Sequence, residues 1–230
     1  VAVMKINISK SLNEIKDLKI IADCRHPSVN RRSFVTQAIL FTASSLLVLP
    51  KFSEAKDKRI QKAEKLAKDI FSDIFSIIGA QKSDSQKRSA LVNLFDKHAD
   101  VPIIARAVLG SPWRKLNKKE RVKFINAFRQ YLANKYTAQF SEFLGAEMMI
   151  EKSRDSGSKA GIMVETRLLM PGSSPIKVGW QVSDASGTFK MIDVKIEGIS
   201  LLTTERGEIR NQLSKEGGSV SRLSRSLLNY

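Results

Sequence analysis

The chain has 230 residues, 42% of them hydrophobic, and carries 39 Lys and Arg against 23 Asp and Glu, a formal net charge of +16. The hydrophobic share is that of a globular chain and excludes disorder over the whole length. With only two histidines and one cysteine, neither a Cys/His metal cluster nor a disulfide framework can be built.

Residues 1–29 are polar, mixed in charge and without a clear period. From residue 30 the order changes: Arg31 and Arg32, a largely apolar block at 38–49, a breaker at Pro50, then the small-x-small triplet Ser53, Glu54, Ala55 ahead of Lys56 and Lys58. A spanning helix needs ~20 apolar residues, so the block is too short to cross a membrane and has the layout of an export signal. Arg31-Arg32-Ser33-Phe34 fits a twin-arginine leader, and an ordinary secretory leader also accommodates a basic pair, so both routes stay open. Val29 stands where a translation start would give a leader of ordinary length. We therefore expect residues 1–55 to be an N-terminal extension and cleaved export signal, and residues 56–230 to form one domain. Cys24 falls in the removed part, so in an oxidising compartment the domain rests on packing alone. Of the charged residues, 8 basic and 4 acidic lie before residue 56, which leaves 31 and 19 in the domain. That surplus favours anionic partners. Export points away from nucleic acid and toward transient contact with an anionic membrane surface, where each basic residue is worth ~1 kcal/mol. Solubility is the alternative role for the charge.

Within the domain, Ile60, Ala63, Leu66, Ala67, Ile70, Phe71, Ile74, Ile77 and Ile78 recur with a helical period and predict an amphipathic helix over 56–80. A second helix runs through Leu91, Leu94 and Phe95. Pro102 suits the first turn of a short helix that Gly110 closes. Asn117 with Glu120 forms a capping-box pattern ahead of Phe124, Phe128, Tyr131, Leu132, Tyr136, Phe140 and Phe143, so a long helix over 117–144 presents one aromatic face. At Gly161 the period drops to two. Ile162, Val164, Thr166 and Leu168, then Ile176, Val178, Trp180 and Val182, alternate with a second set that includes Glu165, Arg167, Lys177 and Gln181. With a strand at 147–153 and a last strand or strand pair at 189–202, bulged or bent at Gly198, this is an antiparallel meander with one apolar face. Helices at 205–216 and 219–228 close the chain. The fold class is α+β: N-terminal helices and a long amphipathic helix packed on a curved antiparallel sheet, then C-terminal helices. The long helix is the expected cover of the sheet.

Catalytic chemistry has little to work with. His98 is the one histidine of the domain; Asp96 and Asp100 stand near it in sequence, but no G-x-S-x-G elbow, G-x-G-x-x-G turn or phosphate-binding loop accompanies them. Asp193 and Glu197 share a face opposite Ile192, Val194 and Ile196 and read as solvated or hydrogen-bonded to turns. We expect no enzyme, no metal and no cofactor. A concave apolar sheet beneath helices suits binding, and strands of ~17–20 Å are long enough to shelter an acyl chain. A two-tailed lipid with about 32 methylenes at ~0.8 kcal/mol each requires a deep, dry pocket. From the alternation, the candidate lipid contacts are Phe124, Phe128, Tyr131, Leu132 and Tyr136 of the long helix, with Val164, Leu168, Val178, Trp180, Val182, Ile192, Val194 and Ile196 of the sheet.

Val108-Leu109-Gly110, Trp113, the run NKKERVKFINAFRQYLANKY from Asn117, and FKMIDVKIEGISLLTTERGEIRNQLSKEGGSVSRLSRSL from Phe189 carry a family resemblance. The most specific piece is Asp193-Val194 followed by Glu197-Gly198-Ile199-Ser200. Over residues 58–228 the chain resembles the MlaC, or toluene-tolerance, family of periplasmic lipid-transfer proteins, and hopanoid-associated proteins share the same domain. The resemblance implies a periplasmic, monomeric auxiliary component of an ABC transport system. Such a component shuttles phospholipid between an outer-membrane lipoprotein complex and an inner-membrane ABC transporter complex, in support of outer-membrane lipid asymmetry. It also implies a sheet related to the nuclear-transport-factor-like type, with acyl tails between sheet and helices. The alternatives are an envelope interaction protein that binds no lipid and a carrier of hopanoid-related lipid.

Overall fold

The computed structural model describes residues 51–157 and 160–230, with side chains described from residue 56. The expected extension and leader, up to residue 50, lies outside the described residues. The first helix, α1 (Lys51–Ile78), starts ahead of the boundary expected after Ala55. Next, α2 (Asp84–His98) is opened by a capping box between Ser83 and Gln86. The third, α3 (Val101–Leu109), starts where the Asp100 carboxylate accepts from the Ile103 N–H at 3.1 Å. It ends at Gly110, whose φ of 70° with ψ of −133° is open only to glycine without strain. A short 3-10 helix (Ser111–Lys115) leads to α4 (Lys118–Ser141). Its predicted capping box is present: the Glu120 N–H donates to Asn117 Oδ1 and the Asn117 N–H to Glu120 Oε2, both at 2.9 Å.

Five strands, β1 (Glu147–Asp155), β2 (Ile162–Leu169), β3 (Ile176–Ser183), β4 (Lys190–Ile196) and β5 (Ile199–Ser200), form an antiparallel meander in chain order. On β2 every second residue is buried, as its alternation predicts. The polar member of that row, Thr166, donates to the Val178 carbonyl at 2.9 Å and accepts from the Trp180 indole N–H at 3.0 Å, so no buried polar group is left without a partner there. β4 departs from regular alternation: Asp193 faces Gln181 but Met191 faces Val182, which leaves Ile192 as an extra, bulged residue.

Beyond β4, Glu197 and Gly198 have φ values of 51° and 82° and make a two-residue hairpin turn into β5, so of the expected single strand or strand pair around Gly198 the pair is what forms. The last strand therefore stops at Ser200, and α5 (Leu201–Lys215) begins earlier than the expected residue 205. Two side chains cause this. Ser200 Oγ accepts from the Thr203 N–H at 3.0 Å, and Asp193 Oδ1 accepts from the Leu202 N–H at 2.9 Å. Glu197 Oε1 accepts from the Lys177 N–H at 2.7 Å, so both carboxylates of the pair tie down main-chain ends. The last helix, α6 (Val220–Leu228), is capped by Ser219.

Three cores hold these elements. Ala63, Ala67 and Ile70 of α1 join Val164, Val178, Trp180 and Ile196 of the sheet, the two alanines letting the helix lie close on the strands. Phe124, Phe128 and Tyr131 of α4 pack with Ile209 of α5 and Leu223 of α6. Leu91, Leu94 and Phe95 of α2 complete a third with Ala133 of α4. The cover of the sheet is thus shared differently from expectation: α1 lies along β1 and β2, and α4 comes to the sheet side with Phe140 and the following Phe143. Among the described residues no helix is long and apolar enough to cross a membrane.

Arg59 pins α1 in place. Its Nε donates to Asp155 Oδ2 at the end of β1, 2.8 Å away, and its remaining nitrogens bond Asp184 in the β3–β4 turn. Desolvation pushes the Asp155 carboxyl up, but Arg59 and the Gly157 N–H outweigh it and hold the group below its ordinary value of 3.8. A carboxyl depressed in the folded state contributes stability that is complete above its unfolded value and lost as pH falls through the folded one. Arg59→Met should destabilise the protein by about 1–2 kcal/mol at neutral pH. In urea titrations the gap between wild type and variant should shrink once the pH drops below 3.8, the ordinary value for Asp155.

Candidate ligand cavities

Two adjoining apolar cavities separate helices from sheet. The first holds about 540 Å³ free of protein atoms, counted to its mouth, between Phe128, Leu132 and Tyr136 of α4 and Ile192 of β4, with Ile104 of α3 and Leu202 of α5 closing its ends. The second holds about 660 Å³ between Ile70, Phe71, Ile74 and Phe75 of α1 and Leu168, Val178, Trp180 and Ile196 of the sheet. Phe95, Phe140, Met191, Val194 and Leu201 line both and form the partition. Most of that space lies close to the walls or at the mouths: the room open to the centre of a water-sized sphere is about 90 Å³ in the first and about 80 Å³ in the second.

Glu205 of α5 reaches the wall of the first cavity and is itself 3% exposed. Its Oε1 accepts from Tyr136 Oη at 2.6 Å and from Lys135 Nζ at 2.7 Å, and its Oε2 accepts from Tyr131 Oη at 2.9 Å. Lys135 Nζ also donates to Tyr131 Oη at 2.9 Å. Burial pushes both phenols well above the ordinary tyrosine range, and the Glu205 carboxylate pushes them the same way, so they remain protonated donors. The cavity is therefore bounded on this side by a carboxylate that already accepts three hydrogen bonds.

Of the candidate contacts, Phe128, Leu132, Tyr136, Leu168, Val178, Trp180, Ile192, Val194 and Ile196 line one cavity or both. Four do not. Phe124 and Tyr131 sit in the solid helical core, because the N-terminal part of α4 faces α5 and α6. Val164 and Val182 are fully buried in the core of the sheet, beyond the open space. The reading from alternation missed Met191, which the bulge at Ile192 turns inward, and the α1 face from Ile70 to Phe75, whose helical period was evident but whose destination was not. Trp113 packs on the helical core with the Arg121 guanidinium 5.4 Å from its ring centre, an anchor away from both cavities.

His98 is buried, and its Nε2 lies 2.7 Å from Asp73 of α1. The two acids near it in sequence are engaged elsewhere: Asp96 with Arg129 and Asp100 at the start of α3. Among the described residues, no group of three or more His, Cys, Asp or Glu is placed to hold a metal.

Removing the Glu205 carboxylate leaves a partly buried ammonium and two buried phenols without their acceptor. Glu205→Ala should cost about 3–5 kcal/mol in chemical unfolding, as for a broken buried ion pair. Glu205→Gln, which keeps an acceptor but removes the charge, should cost less.

The family model for the MlaC protein matches residues 65–228 of the chain. The intermembrane phospholipid transport system binding protein MlaC of Haemophilus influenzae is 23% identical over 158 residues, 67% of this chain and 74% of that protein. Among solved structures, the phospholipid-binding protein from Ralstonia solanacearum, determined in complex with a phospholipid, superposes with a TM-score of 0.61 at 18% identity, covering 72% of this chain and 94% of that one. At that identity the likeness establishes the shared α+β fold. With the match running from α1 to the end of α6, the chain belongs to the MlaC protein family.

Proposed function

We propose that the protein is a periplasmic phospholipid carrier that passes lipid between outer-membrane and inner-membrane complexes of an ABC transport system, without a catalytic step. One observation carries the proposal: two adjoining cavities between helices and sheet, walled almost entirely by aliphatic and aromatic side chains and sharing one partition. A diacyl glycerophospholipid has two tails to shelter, and every methylene removed from water is worth ~0.8 kcal/mol. The Haemophilus and Ralstonia relatives, an intermembrane phospholipid transport system binding protein and a phospholipid-binding protein, support the same reading. In it, the tails lie against Leu168, Val178, Trp180 and Ile196 on one side of the partition and against Phe128, Leu132, Tyr136 and Ile192 on the other. Val194 is shared between them.

Native mass spectrometry of protein purified from the periplasm should show one phospholipid per chain. Val178→Trp, which places bulk in the second cavity, should lower lipid loading from vesicles by ~10–100-fold, the equivalent of the ~1–3 kcal/mol cost of overfilling a packed site. A lipid-free wild type that also takes up no lipid from vesicles would overturn the proposal, as would normal loading of Val178→Trp.

A further inference from the structure

A third cleft lies away from the sheet, between the 3-10 helix with the first turns of α4 and the whole length of α6. It holds about 1280 Å³ counted to its open mouth. Pro112, Leu116, Val220 and Leu228 contribute apolar surface, and Lys115, Lys123 and Arg225 stand at its edges. The one carboxylate lining it, Glu120, is spent on the cap of α4, where its Oε2 accepts from the Asn117 N–H at 2.9 Å. Arg114, Lys118 and Lys119 flank the cleft in the sequence and are exposed.

Counterions for these groups are missing from the fold. Among the described residues Lys115, Lys118, Lys119, Lys123 and Arg225 have no carboxylate partner; Lys82, Lys152 and Lys177 also lack one but stand apart, on the α1–α2 link, β1 and β3, whereas the five gather around one cleft. Like charges gathered without partners repel one another, and that repulsion is relieved when an outside polyanion covers them. Leu228 adds an apolar side chain 53% exposed at the same opening. A basic edge around an exposed aliphatic residue matches the anionic headgroup layer of a bilayer, with its acyl boundary just below. Lysines, as flexible point charges, suit a fluid array of phosphates better than a fixed set of protein carboxylates.

We propose that the α4–α6 cleft is a docking surface for anionic membranes, in which lipid phosphates collect at Lys115, Lys123 and Arg225 while Leu228 enters the headgroup layer. The docking is separate from the carrier reading, since a chain with blocked cavities would dock in the same way.

Co-sedimentation with vesicles tests it. The protein should bind vesicles of phosphatidylcholine mixed with phosphatidylglycerol and fail to bind phosphatidylcholine alone. Lys115→Gln, Lys123→Gln and Arg225→Gln together should weaken binding on the order of 100-fold, from ~1 kcal/mol for each charge. The same number of charges removed from the exposed Lys82, Lys152 and Lys177 should weaken it only a few-fold. All six side chains are exposed, so thermal melts of both variants should superimpose on the wild type. Val178→Trp should dock like the wild type, which keeps failure of this proposal distinct from failure of the carrier reading. Equal losses from the two triple variants, unchanged binding by the first, or equal affinity for neutral vesicles would overturn the proposal. So would retention on poly-glutamate without vesicle binding, which would assign the cleft to an acidic protein.

Discussion

Between the N–H of Asp100 and the carbonyl of Met191 a 2.9 Å hydrogen bond joins the α2–α3 junction to β4, and two residues along that strand the Asp193 carboxylate holds the Leu202 N–H at the start of α5. These two bonds fix the ends of three helices relative to one strand. The helices then stand off from the sheet, and the side chains in the gap leave part of it unfilled. Empty apolar space costs stability, and cores normally relax to reduce it. Here closing the space would break the bonds that tie these helix ends to β4, and Arg59 holds α1 against the far end of the sheet. The interior stays open because its walls are pinned by polar contacts at their edges.

The sequence block Asp193-Val194 with Glu197-Gly198-Ile199-Ser200 takes on a physical meaning in this setting. Asp193 receives the Leu202 N–H, Glu197 and Gly198 make the turn, Glu197 receives the Lys177 N–H, and Ser200 caps α5. Every polar residue of the block directs the main chain at the corner where strand becomes helix. Val194 of the same block reaches both cavities.

Elements specified by local chemistry were legible before the structure. The Asn117–Glu120 box, the alternation of Ile162, Val164, Thr166 and Leu168, and the glycine stop after α3 depend on neighbours within a few residues. What could not be read locally was destination. The aromatic stripe of α4 is continuous, yet a 24-residue helix is ~36 Å long and outruns the cavity it serves, so Phe124 goes to a solid core while Tyr136 meets open space. The bulge on β4 was invisible for the same reason: only the pairing with Gln181 and Val182 reveals that Met191, beside Ile192, faces inward. The early start of α5 depended on Asp193, nine positions upstream of the N–H it receives.

The wall that the two cavities have in common has a further consequence. It is built from the side chains of Phe95, Phe140, Met191, Val194 and Leu201, and the thioether of Met191 is among the most pliable of side chains. A divider of this kind yields toward whichever compartment holds less. On the carrier reading, the protein would gauge the combined bulk of two hydrocarbon chains and be nearly blind to how the carbons are split between them.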